Sequence, residues 1–340
     1  MISVKDVARA AIVVAAVCLS LVSVASAAVN IEAVPVANKG NTGEWSGGSY
    51  GGDGPDRICG AVDYDYRIGK YEVTAGQYTA FLNAVADTDT YELYNSNMWS
   101  QATGCKIQRT GSSGSWQYSV ADAAADRPVN YVSWGDAARF ANWLHNGQPT
   151  EVPQNDASTE EGAYFLNGAT SAAALLDVTR EAGWRWAIPT EDEWYKAAFY
   201  DPGKSGGAGY WDYATRADVQ PVAEAPPGGS NSANHNSVLG TTTTVGAYGL
   251  SWGPYGTFDQ NGNVWEWTEA IVYGSRRGIR GGSFESPSGN PDLEAAGRNG
   301  SDTPDFEHFS IGFRVATPEP ATLSLLALGG AVLAARRRKV

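Results

Sequence analysis

Asp259, Gly262, Val264 and Glu266 stand at i, i+3, i+5 and i+7. At that spacing two carboxylates and two backbone carbonyls can converge on one hard, oxygen-seeking cation such as calcium. The run is not an EF-hand loop. Its glycine is fourth and its glutamate eighth, whereas an EF-hand places them sixth and twelfth. A loop closed by hydrogen bonds alone is the alternative. Little other chemistry is on offer. The 340 residues include three Cys and three His, too few for a disulfide framework or a multi-histidine metal centre. His145 ends a helical stripe, His235 lies in a Gly/Ser loop, His308 lies in an acidic loop, and neither H-E-x-x-H nor G-x-S-x-G occurs.

The elements that must hold such loops are announced by capping boxes, in which a Ser/Thr oxygen accepts the N3 amide and the N3 side chain reaches back. Thr74–Gln77 opens a helix with Tyr78, Phe81, Leu82 and Val85 on one face. Ser133–Asp136 opens Ala137–His145, which Gly147 stops, and Thr190–Glu193 opens Glu191–Tyr200, ended by Asp201-Pro202. Strand signals are short and scattered: Tyr64–Val73, Trp184–Ile188, Gly278–Phe284 and Gly312–Ala316. With 40 Gly, 12 Trp and 17 Tyr and 43% hydrophobic residues, the chain has the material for a core but not for long regular elements, which predicts an irregular α+β fold. Asn38–Pro55, with seven Gly, and Pro202–Gly240 read as loops within one domain spanning 28–317.

The two ends read as targeting segments. Lys5 and Arg9 precede the apolar run Ala10–Val24 and the A-x-A site Ala25–Ala27, which predicts a secretory signal over 1–27. At the other end Pro318-Glu319-Pro320 leads into the apolar stretch Ala321–Ala335 and the cluster Arg336–Lys339. Fifteen residues of helix rise about 22 Å, short of the roughly 30 Å hydrocarbon core. The tail at 318–340 resembles a PEP-CTERM sorting signal. The resemblance implies an exosortase-type partner, transient contact with the inner membrane, and export to the periplasm, surface or extracellular matrix of a Gram-negative bacterium. The formal charge of −13 becomes −17 once both ends are set aside, a surface that disfavours nucleic acid as a partner.

Six segments are recognisable together: Tyr66–Thr74, Arg127–Trp134, Ile188–Trp194, Asn261–Trp267 (NGNVWEW), Arg280–Phe284 (RGGSF) and Ile311–Val315 (IGFRV). In this order they resemble the formylglycine-generating enzyme (sulfatase-modifying factor) family. The resemblance spans roughly 62–317 and implies a variant of the C-type-lectin-like fold. It also implies a structural calcium on the Asp259, Gly262, Val264 and Glu266 loop, and a second calcium at which Asn234 and the His235 carbonyl are candidates. The family oxidises a substrate cysteine to formylglycine at a copper(I) centre held by two cysteines after RGGS. The matching positions here are Ser286 and the neighbourhood of Asn290-Pro291, and a hydroxyl does not replace thiolate on a soft metal.

Copper and formylglycine formation are therefore not expected. The expectation is an exported binding or structural module for a glycan or peptide. Its residual pocket is expected to be lined by Arg280, Ser283, Ser286 and Arg298, with Trp265 or Trp267 behind. The alternative is a formylglycine-type oxidoreductase acting on a protein cysteine. The signal contains Cys18, and the two remaining cysteines, Cys59 and Cys105, are each flanked by Gly. In an exported protein these two are expected to form a disulfide, closing about 47 residues and contributing roughly 4 kcal/mol in the chain-entropy view.

Overall fold

The computed structural model describes residues 28–300 and 302–319; the expected signal sequence and the apolar part of the tail lie outside the described residues. Three helices of nine or more residues stand among the described residues. All three start at the anticipated capping boxes: α1 (Ala75–Val85) from Thr74, α2 (Trp134–His145) from Ser133 and α3 (Glu191–Phe199) from Thr190. In each box both reciprocal bonds form, as with Gln77 N donating to Thr74 Oγ1 at 3.2 Å and Thr74 N donating to Gln77 Oε1 at 2.9 Å. Among the described residues no helix is long and apolar enough to cross a membrane.

The strands are short and grouped into small sheets. β1 (Ala33–Val36) and the final strand β10 (Ala316–Pro318) both pair antiparallel with β4 (Tyr66–Gly69), which is the centre of one three-stranded sheet. The other three-stranded sheet is centred on β7 (Trp265–Val272), with β8 (Arg276–Arg280) antiparallel on one side and β9 (Ile311–Gly312) parallel on the other. Two hairpins complete the set used below: β2 (Glu44–Ser46) with β3 (Arg57–Cys59), and β5 (Ile107–Thr110) with β6 (Gln117–Val120). Several strand expectations change: Tyr64–Val73 shortens to Tyr66–Gly69 and Gly278–Phe284 shifts to Arg276–Arg280. The strand anticipated over Trp184–Ile188 reduces to a single bridge from Ala187 to Ala316, because Trp184 is turned under the Arg180 guanidinium instead. β7, the longest strand among the described residues, begins at the end of the segment read as a cation loop and runs on through residues given no element.

Aromatic side chains fill the space that long elements fill elsewhere. Phe81 of α1 meets Phe140 of α2 edge-on at 5.3 Å, and Phe140 meets Phe313 at 5.4 Å, arrangements favoured by the ring quadrupole. Trp134 and Trp267 are fully buried in this main core, and Trp267 donates its indole N–H to Val132 O at 3.0 Å. A second cluster gathers Trp194, Tyr195 and Phe199 of α3 around Cys59.

The cysteines correct a sequence expectation. Cys59 and Cys105 are both free and both buried, the first in the α3 cluster and the second in the main core. Each thiol instead has a polar neighbour: Arg280 Nη2 lies 3.3 Å from Cys59 Sγ, and Asn130 O lies 3.9 Å from Cys105 Sγ. Burial pushes both thiols up to about 11, so neither is a thiolate near neutral pH.

Candidate functional site

The loop from Asp259 to Val264 is folded by its own polar side chains. Gly262 has φ +83, and a Cβ there would lie 2.2 Å from Asn234 O, so only glycine permits the approach. Asn263 N donates to that same Asn234 O at 2.9 Å. The Asn263 side chain accepts from Thr243 N at 2.9 Å and donates to Glu72 Oε1 at 3.0 Å. Asn261 accepts from Ala214 N and donates to Leu293 O, both at 2.7 Å. The loop is thereby pinned to four distant parts of the chain.

Of the anticipated cation ligands, Asp259 accepts from Gly246 N at 2.5 Å, Asn234, expected at the second site, lies against Gly262, and Glu266 is otherwise engaged. Both Glu266 oxygens face Arg314, at 2.5 and 2.6 Å, and one also accepts the Trp194 indole N–H at 2.7 Å. Sequence reasoning gave no role to Glu72, in the Tyr-Glu-Val-Thr run before α1, which joins this loop through Asn263. Its Oε2 is buried with no hydrogen-bond partner, and so is Asn234 Oδ1.

Glu72, Asp259 and Glu266 share the single buried guanidinium of Arg314, which leaves a surplus of negative charge. Burial, with the nearby Asp259 and Glu266 charges, raises the Glu72 carboxyl well above the usual range, and burial raises Asp259 to about 6. The donor chemistry, carboxylate and amide oxygens with two unpartnered acceptors, suits a hard divalent cation. The original set of two converging carboxylates does not survive, since the Glu266 side chain is consumed by Arg314. Among the described residues no group of three or more His, Cys, Asp and Glu side chains is arranged to hold a metal.

The pocket expected behind RGGS is not a cavity. Arg280, Ser283, Ser286 and Arg298 are all at most 4% exposed and Trp265 is 8% exposed. Arg280 and Arg298 converge on Glu191 at the start of α3, with Arg298 Nε and Nη2 at 2.7 and 3.0 Å from its two oxygens and Arg280 Nε at 2.9 Å. Arg57 adds a third guanidinium at 2.8 Å. Burial alone would raise the Glu191 carboxyl, but Arg280, Arg298 and Arg57 outweigh it and hold it at about 2. Ser286 Oγ donates to Asp292 Oδ2 at 2.8 Å and accepts from Ser283 N at 3.1 Å. At this place the chain builds a brace.

Open space lies elsewhere. A cavity of about 600 Å³ is bounded by the first described segment (29–32), by 71–77 leading into α1, and by Asp126 and Thr244–Val245. Glu32, Tyr71, Glu72, Thr74, Gln77 and Asp126 give it a polar, acidic wall. A second acidic recess of about 310 Å³ lies at the start of α2. There the Asp136 and Glu307 carboxyls interact directly, and burial with the Asp136 charge raises Glu307 to about 8.

The sulfatase-modifying factor enzyme 1-like domain matches residues 43–318. The chain belongs to that family. A PEP-CTERM protein-sorting motif matches 316–339, so the family domain is joined to a signal for export in Gram-negative bacteria that exosortase-type machinery recognises. No curated protein matches the sequence. Among solved structures the fold is similar to Treponema denticola variable protein 1, at 18% identity over 86% of this chain and 96% of that one, with TM-score 0.53. Also similar are CarF, at 23% identity over 86% and 99% with TM-score 0.48, and PvdO from Pseudomonas aeruginosa, at 21% over 78% and 85% with TM-score 0.42. The family's irregular C-type-lectin-like fold is therefore the architecture of this chain, as its motifs implied.

Proposed function

We propose that this family member is an exported binding or structural module for a glycan or peptide, and that it does not carry out the family's copper-dependent cysteine oxidation. The observation that carries this reading is the state of Ser286. It occupies the first position that the family resemblance assigns to a copper cysteine, and its hydroxyl is spent on Asp292 and Ser283. The second such position falls near Asn290-Pro291, where the Asn290 side chain caps a 3-10 turn opened by Pro291 and neither residue offers a thiolate. Copper(I) needs soft thiolate ligands, and the two cysteines in the described residues are buried in separate clusters. The ligand seat in this reading is the cavity of about 600 Å³, within the usual size range of ligand sites.

Structural calcium belongs to the same reading. Asp259, Glu72 and the Asn234 amide oxygen would hold the ion, with the Gly262 and Val264 carbonyls as further candidates. The ion would offset the surplus charge around Arg314.

The test uses the full exported chain. Binding to a glycan or peptide array in calcium, lost in Ala80→Trp, which fills the cavity from α1, is the expected result. Stoichiometric binding of copper(I) under anaerobic conditions, followed by oxygen uptake with a cysteine-containing peptide, would overturn it in favour of the oxidoreductase.

A further inference from the structure

The last strand of the fold and the start of the sorting signal are the same residues. The domain match ends at 318 and the sorting match begins at 316, and β10 is Ala316–Pro318. Ala316 pairs with Ile68, Thr317 with Arg67 and Pro318 with Tyr66 of the central strand β4. On its other side Ala316 exchanges two backbone bonds with Ala187, at 2.7 and 3.0 Å. Ala316 is fully buried. The first residue after β10, Glu319 of the Pro-Glu-Pro motif, lies 3.8 Å from Arg67 Nη1, both side chains about a third exposed. Arg67 also donates to Ala33 O of β1, so one side chain ties the first strand, the central strand and the motif together.

Steric reach makes this arrangement consequential. Two residues of extended chain span at most about 7 Å, less than the roughly 10 Å diameter of a single helix. A processing enzyme that takes its substrate as an extended peptide cannot enclose Pro318–Pro320 while Pro318 stays in register opposite Tyr66 within the sheet.

We propose that the folded domain masks its own sorting motif, and that the exosortase-type enzyme gains the motif only when β10 lifts off β4 and Ala187. The step it then performs is cleavage of one peptide bond. Water or an amine nucleophile adds to the carbonyl carbon, the C–N bond breaks, and the tail leaves as an amine that takes up the proton. Strand release therefore sets the rate at which the tail is lost, independently of whatever ligand the cavity holds.

The experiment follows tail loss by pulse-chase in a Gram-negative host that carries an exosortase, for the full chain and two variants. One variant inserts ten Gly/Ser residues between Thr317 and Pro318, leaving Ala316 docked and moving the whole motif clear. The other is Arg67→Ala, which removes the tie to Glu319. The insertion is expected to speed tail loss at least tenfold and Arg67→Ala a few-fold, with melting of the purified domains measured alongside to separate release of β10 from general unfolding. Equal rates for the parent chain and the insertion would overturn the proposal. So would slower loss from the insertion, which would mean the motif is read while docked. Retention of the tail by all three forms, in a host that processes another tail of this kind, would overturn it as well. None of these results bears on the array binding expected above.

Discussion

At the scale of single residues, this protein buries charge wherever loops need fixing. Glu191 collects Arg57, Arg280 and Arg298, Glu266 collects Arg314, and Glu160 collects Arg139. Breaking such a pair by removing one partner leaves an uncompensated buried charge and costs about 3–5 kcal/mol. Residue types alone let Arg280 fork onto a carboxylate and pin a loop, and also let it line a pocket with Arg298; a sequence does not say which carboxylate an arginine will meet. Glu191 had been visible only as a helix-start acid. The thiols give a direct check. An alkylating reagent is expected to label neither Cys59 nor Cys105 in the native exported protein and both in guanidinium without reductant; absence of labelling after denaturation would restore the disulfide. The Asp136–Glu307 contact gives a second. Glu307 is raised in the folded protein, so its contribution is full below about pH 4.5, the unfolded value, and is lost as pH rises through about 8. Asn95 donates to Glu307, and Glu92 and Asp305 line the same recess. Glu307→Gln cannot ionise and keeps an acceptor for Asn95. It is therefore expected to melt a few degrees above the parent at pH 8.5 and close to it at pH 4.5; identical melting curves across that range would refute the shared-proton contact.

At the scale of elements, what could be read in advance followed from how local each signal is. Capping boxes lie within four residues, and all three opened helices where they stood. Thr74→Ala is expected to cost about 1 kcal/mol and lower the melting temperature by roughly 2–4 °C, read by calorimetry; no change would mean the box contributes nothing to α1. β7 was illegible because its first four residues, Trp265–Thr268, are all buried, so the alternation that marks a half-exposed strand is missing. Its first two residues belong to the run that looked like a ligand loop, since Asp259 and Glu266 have suitable spacing. The spacing could not show that Glu266, once in a strand, faces Arg314. The Glu72 contribution was hidden for the complementary reason: it is distant in sequence and joins the site through Asn263.

At the scale of the whole molecule, two features dominate: a strongly acidic exterior and surplus negative charge inside. Calcium is expected to raise the melting temperature, and a chelator to lower it, because an ion that binds only the folded state stabilises by linkage. An unchanged value in both would reject the cation site. Asp259→Asn is expected to weaken the calcium response while leaving the calcium-free form at least as stable, because a buried carboxylate is removed. The family fold was legible in the motifs because they are the fasteners of the fold; the ligand was not, because the open cavity lies among residues outside the RGGS neighbourhood. One feature of the architecture also bears on how the molecule is made. The first strand and the last strand flank the same neighbour, β4. A chain that emerges from its amino end therefore offers β4 one of these partners early and the other only after residue 318 has emerged. A chain truncated before β10 would leave one edge of β4 open and prone to pairing with its own kind.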